Sequence, residues 1–99
     1  MAYQTTYITR AAIVAEITGQ APKMVYVPEE RLVVFEWENI DQPLSVLAED
    51  CRVIDREGRE YRVNFMRVEE RHQRYKKTIF RLMEEWKKRE KGGKGDENN

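Results

Sequence analysis

A chain of 99 residues fits one small domain that buries only roughly 60 to 65% of its unfolded surface, which leaves little room for a large internal active-site cavity. Charged residues make up 36% of the chain and hydrophobic ones 40%; the charged share exceeds the average of about 25%, but the apolar share still supports a core and excludes a wholly disordered chain. The formal net charge is zero, yet it is segregated: residues 1–63 hold seven Lys/Arg and eleven Asp/Glu, whereas residues 64–95 hold eleven and five, so an acidic body precedes a basic segment.

The opening AYQTTYITRAAIVAEITGQAP reads as a short extended lead-in followed by a helix over about residues 6–18. Thr5 or Thr6 is the expected N-cap, Gly19 suits the left-handed position after the helix, and Pro22 follows where it cannot continue it. At about 100° per residue, Tyr7, Ile8, Ala11, Ala12, Val14, Ala15 and Thr18 share one side, with Thr9, Arg10 and Glu16 opposite. KMVYV and RLVVFEWE, residues 23–27 and 31–38, are β-branched and aromatic and read as a hairpin joined by PEE. Val33, Phe35 and Trp37 alternate onto one face. Leu32 and Val34 make the other face apolar as well, so the second strand is expected to be central.

After NIDQP breaks the chain, Asp41 is positioned to cap a short helix through PLSVLAED, ending near Asp50. CRVIDREGREYRV predicts a second hairpin turning at Glu57-Gly58, with Ile54 across from Tyr61. Asn64 then caps a helix running from Phe65 to about Glu90. The remaining residues 91–99, GGKG flanked by charge, have too little apolar surface to fold and are expected to be a disordered tail. The expected architecture is a single α+β domain over residues 1–90: a small antiparallel sheet with an N-terminal helix and a long C-terminal helix.

TTYITRAAIVAEITG, VVFEW and YRVNFMRVEERHQRYKKTIF together resemble, in order and character, a small domain-of-unknown-function family carried by bacteria and their phages. The shared features are a Thr pair opening an Ala-Ala helix, a Val-Val-Phe strand and a Val-Asn step into a final helix. Tyr7 and the long CRVIDREGRE segment depart from that pattern. The resemblance implies a phage or mobile-element setting and assigns no role to any residue.

Chemistry-bearing residues are sparse. A nucleophile needs a base beside it, and the only histidine, His72, is distant in sequence from Cys51 and Ser45. One Cys and one His do not make a zinc site. Glu69 and His72, three apart on a helix, form half of a carboxylate-bridged di-metal pattern, but the remaining ligands are not identifiable. GGKG lacks the following helix that a phosphate loop requires. Glu36 and Glu38 share a strand face in the manner of a solvated edge. Catalysis, metal and cofactor are therefore not expected. A single cysteine permits no internal disulfide and points to a reducing compartment. The longest apolar run, AAIVA, is shorter than a signal peptide or membrane span requires, so a soluble cytoplasmic protein with no membrane partner is expected.

The C-terminal helix carries the richest pattern. Phe65, Val68, His72, Tyr75, Ile79, Leu82, Trp86 and Arg89 alternate at spacings of 3 and 4, an a/d heptad register that serves either a coiled coil or a helix laid on its own domain. Twenty-six helical residues span roughly 39 Å, and a spherical 64-residue body is roughly 28 Å across. On that geometry Trp86 projects beyond the body. A second chain is expected to meet Val68, His72, Tyr75, Ile79, Leu82 and Trp86, most simply as a homodimer and otherwise as a host or phage protein. Arg67, Arg74, Arg81 and Lys88 share one heptad position, with Arg71 and Lys77 beside them. This basic stripe supports an alternative, a nucleic-acid-binding module. Glu70-Arg74, Glu84-Lys88 and Glu85-Arg89 are i to i+4 pairs of a solvated face, and the acidic body repels a polyanion.

Overall fold

A computed structural model describes residues 2–40 and 45–98, with side chains as far as Glu90. In chain order the elements are β1 (Tyr3–Thr5), α1 (Ile8–Thr18), β2 (Lys23–Val27), β3 (Leu32–Trp37), β4 (Ser45–Leu47), a 3-10 turn (Ala48–Asp50), β5 (Arg52–Ile54), β6 (Glu60–Arg62) and α2 (Phe65–Asn98). The strands form two antiparallel three-stranded sheets, ordered β1-β3-β2 and β4-β5-β6. The fold is α+β, as the sequence pattern predicts. Among the described residues no helix is long and apolar enough to cross a membrane.

β3 is the centre of the first sheet because its β-branched and aromatic residues serve two faces. Val33, Phe35 and Trp37 are buried, and Met24 and Tyr26 join them on the inner face as cross-strand partners of Phe35 and Val33. On the opposite face Val25 pairs with Val34 and Val27 with Leu32. These four are half-buried and stand outside the core cluster.

α1 begins at Ile8, later than residue 6, because Thr5 belongs to β1, opposite Phe35. The Thr5 hydroxyl accepts the Tyr7 N–H at 3.2 Å instead of capping the helix. At the other end Gly19, at φ 71°, donates its N–H to the Ala15 carbonyl at 2.9 Å, as expected for the left-handed terminus. Ala11, Ala12, Ile13, Val14 and Ala15 are all buried, so α1 is enclosed on several sides, and Tyr7, assigned to the buried side from spacing, is exposed. Small alanines are what allow other elements to approach α1 closely.

The segment before Asp50 is corrected. Residues 45–47 form a strand followed by a 3-10 turn rather than the expected helix, while the proposed cap Asp41 lies outside the described residues. Val46 opposite Val53 gives this segment a β-branched cross-strand partner, which outweighs a marginal local helix preference. The β5–β6 hairpin is present, but its register differs by one residue: Tyr61 faces Val53, and Ile54 faces Glu60. Asp55 accounts for the shift. Its N–H donates to the Arg59 carbonyl at 3.0 Å, its carboxylate Oδ1 accepts the N–H groups of Glu57 and Arg59 at 2.9 Å, and Gly58 sits at φ 84°. A three-residue loop closed by Asp55 and Arg59 thus replaces the two-residue turn.

Asn64 caps α2 as anticipated: its side-chain oxygen accepts the Met66 N–H at 2.8 Å and its carbonyl accepts the Val68 N–H at 3.1 Å. The helix continues past Glu90 to Asn98, through the segment expected to be a disordered tail; no proline interrupts it, and elongation adds a backbone hydrogen bond with each residue. The chain measures 60 × 28 × 19 Å with a radius of gyration of 16.4 Å, against about 13 Å for a compact chain of this length. α2 sets the long axis.

Candidate interaction surface

α2 presents two faces of different kinds. On the inner one Val68 and Tyr75 are buried, Ile79 rests against the core, and the Tyr75 ring lies 5.7 Å from that of Phe35. Trp86 meets Tyr26 of β2 edge-on, with ring centroids 5.9 Å apart. His72 and Leu82 are half-buried between them. The seam assigned to a second chain is therefore turned toward the protein's own body. A spherical body stops short of Trp86, but the real one is elongated, and β2 reaches the tryptophan. Phe65, taken as the first seam residue, is 65% exposed.

A polar junction fixes how α2 lies on α1. The Glu16 carboxylate accepts a hydrogen bond from Arg71 Nε at 2.6 Å, Arg67 Nη1 stands 3.9 Å from its other oxygen, and Arg71 also donates to the Tyr75 hydroxyl at 3.4 Å. The bond to Glu16 raises the Arg71 pKa above the ordinary guanidinium value against the opposing effect of burial. Arg71 is thus committed to an internal carboxylate, whereas Arg67 borders the same carboxylate with its side chain 71% exposed. Arg74, Lys77, Arg81 and Lys88 remain exposed. Among the described residues none of these four is in an ion pair, and the anticipated Glu70-Arg74, Glu84-Lys88 and Glu85-Arg89 pairs do not close.

The outer face of α2 carries exposed apolar bulk. Besides Phe65, Met66 is 71% and Phe80 58% exposed. A shallow, mostly apolar groove of about 520 Å³ is lined by Phe65, Met66, Glu69, Glu70, Gln73 and Arg74. The sequence reading passed over this face because the longer heptad on the inner side dominated the pattern. Its signal was the presence of Met66 and Phe80 on the side opposite Val68 and Tyr75.

The chemistry-bearing residues do not converge. Cys51 is buried, in a left-handed conformation at φ 49°. His72 lines a hollow with Tyr7, Thr9, Arg10 and Ala48 at the start of α1, which neither Cys51 nor Ser45 lines. Glu69 lies instead on the outer groove, so Glu69 and His72 address different surfaces. Glu36 accepts a hydrogen bond from Gln4 at 3.0 Å and Glu38 lies exposed beyond β3. Among the described residues no group of three or more His, Cys, Asp or Glu is placed to hold a metal. A further apolar-floored cleft, about 460 Å³, runs between α1 and the β5–β6 hairpin over Val14, Ile17, Ile40 and Val53. Its rim is paired internally: Arg59 bridges Asp55 and Glu57, and the Tyr61 hydroxyl donates to Asp55. Rim groups committed to one another offer a ligand few polar handles.

Comparison with family models, curated proteins and solved structures finds no match for the chain.

Proposed function

We propose that the protein is a small non-enzymatic interaction protein of the cytoplasm, an accessory in a phage or mobile-element setting, that self-associates through α2. The observation that carries this reading is the outer face of α2, where Met66 and Phe80 stand exposed although the inner face already has its cover. Burying each such side chain against a partner gains about 1.5 to 3 kcal/mol. Size exclusion coupled to light scattering tests it on wild type and Phe80→Glu. Wild type is expected to gain mass toward a dimer with rising concentration, while the variant, altered at an exposed position, stays monomeric with an unchanged circular dichroism spectrum. A wild type that is monomeric at roughly 1 mM, corresponding to about −4 kcal/mol, overturns it.

A second reading, nucleic-acid binding, is favoured by the exposure of Arg74, Lys77, Arg81 and Lys88, none of which is in an ion pair among the described residues. Four phosphate contacts give a slope of roughly −3.6 in log K against log salt on a DNA duplex. Retention of a duplex at low salt, lost on reversing Arg74 and Arg81, supports this reading; no retention at roughly 50 mM salt ends it.

A further inference from the structure

On the outer face of α2 seven side chains follow one another as Met66, Glu69, Glu70, Gln73, Lys76, Lys77 and Phe80. Their spacings read the same in both directions about Gln73. Reading the series backwards exchanges Met with Phe and each Glu with a Lys. At about 100° per residue all seven lie within a stripe about 120° wide, and all seven are exposed. None of Glu69, Glu70, Lys76 and Lys77 makes an ion pair among the described residues. Neither lysine has an acid at three or four residues on either side: Lys76 has His72, Gln73, Ile79 and Phe80, and Lys77 has Gln73, Arg74, Phe80 and Arg81. Their opposite charges must come from outside the helix if they come at all.

We infer that the occupant of this face is the same face of a second copy, packed antiparallel about a two-fold axis through Gln73. This rests on the reading that α2 self-associates and specifies its surface and direction. In that arrangement Met66 meets Phe80 of the second copy near the centre line, Glu69 meets Lys76 on one flank and Glu70 meets Lys77 on the other, and Gln73 meets its own equivalent across the axis. Every pair except the axial Gln73 contact then occurs twice, as an isologous interface requires. A parallel arrangement in register sets glutamates against glutamates and lysines against lysines, so charge selects the antiparallel form. The groove beside Phe65 and Met66 is the seat for the incoming Phe80 ring. One helix face is smaller than the roughly 1,200 Å² of a stable interface, so self-association is weak and concentration-dependent.

Two measurements on the full chain test the inference. Met66 and Phe80 are about 21 Å apart along the helix, so in an antiparallel dimer Met66→Cys cannot bridge to itself, nor can Phe80→Cys. The two variants mixed under oxidation are expected to give a mixed disulfide, while each alone, and wild type with its buried Cys51, gives none. In the second measurement, Glu69→Lys with Glu70→Lys, and separately Lys76→Glu with Lys77→Glu, each weaken self-association by about tenfold or more, and an equimolar mixture of the two restores it. All four positions are exposed, so unchanged circular dichroism is the control for folding. If wild type dimerises but Met66→Cys bridges to itself, or the charge-reversed pair is no better than either alone, the antiparallel register is overturned and self-association stands. If wild type is monomeric at roughly 1 mM, both fail.

Discussion

Phe35 is fully enclosed, with the Tyr75 ring 5.7 Å away, and it joins the first sheet to α2. Phe35→Ala leaves a cavity at that junction and is expected to cost about 3 to 5 kcal/mol, a large part of the 5 to 15 kcal/mol typical of a domain. Urea unfolding followed by tryptophan fluorescence measures it; a loss below about 1 kcal/mol contradicts the assigned enclosure. Asp55 acts differently, through a turn rather than a core. Its carboxylate pKa is lowered, first by the Arg59 backbone N–H, with the Tyr61 hydroxyl, the Glu57 N–H and the Arg59 charge adding to it against a smaller desolvation effect. A carboxylate whose folded pKa lies below its unfolded value near 3.9 contributes stability that is complete above the unfolded value and lost as pH falls through the folded one. The hairpin loop is therefore expected to loosen only below about pH 4, seen as faster exchange of the Arg59 amide. Asp55→Asn should remove that pH dependence. Sequence reading found the Gly19 and Asn64 termini because each depends on neighbours within a turn. It missed Asp55 because loop length decides the hairpin register, and Gly58 fits a two-residue turn as readily as the three-residue one observed.

Between elements, the junction of α1 and α2 depends on Glu16 and Arg71, bonded at 2.6 Å and both largely shielded from water. Glu16→Ala leaves the guanidinium without its carboxylate and is expected to cost about 1.5 to 3 kcal/mol. Replacing both residues with Leu and Met is expected to cost less, since no charge is then left unpaired. Thermal unfolding of the two variants decides it, and a double variant weaker than the single one contradicts the account. Gly19→Ala should cost about 1 kcal/mol through its positive φ alone, because no atom lies within 4 Å of the added methyl. The heptad of α2 was legible as periodicity, but periodicity does not say what covers it. Val68 and Tyr75 serve the protein's own core, while Met66 and Phe80, interrupted by charge, hold the exposed face. Residues 45–47 were illegible for a related reason: Val46 becomes a strand residue by pairing with Val53, a contact outside any local window.

At the scale of the whole molecule, the protein is a small two-sheet body with α2 lying along its length, its inner side committed to the body and its outer side open. The side chains that Glu16 meets directly, Arg67 and Arg71, and Tyr75, which it reaches through Arg71, all lie on α2, so the body presents that outer side in a fixed orientation. Charge segregation along the chain, acidic before basic, follows the same division. What distinguishes the outer side from an ordinary solvated helix is its reversed-charge symmetry about Gln73. The direct test is an isotope-filtered NOE experiment on an equimolar mixture of 13C-labelled and unlabelled wild-type protein at roughly 1 mM. The account predicts intermolecular cross-peaks from the Met66 methyl of one copy to the Phe80 ring of the other; a concentrated sample with no such cross-peak, or with intermolecular contacts only from the β2–β3 face, contradicts it.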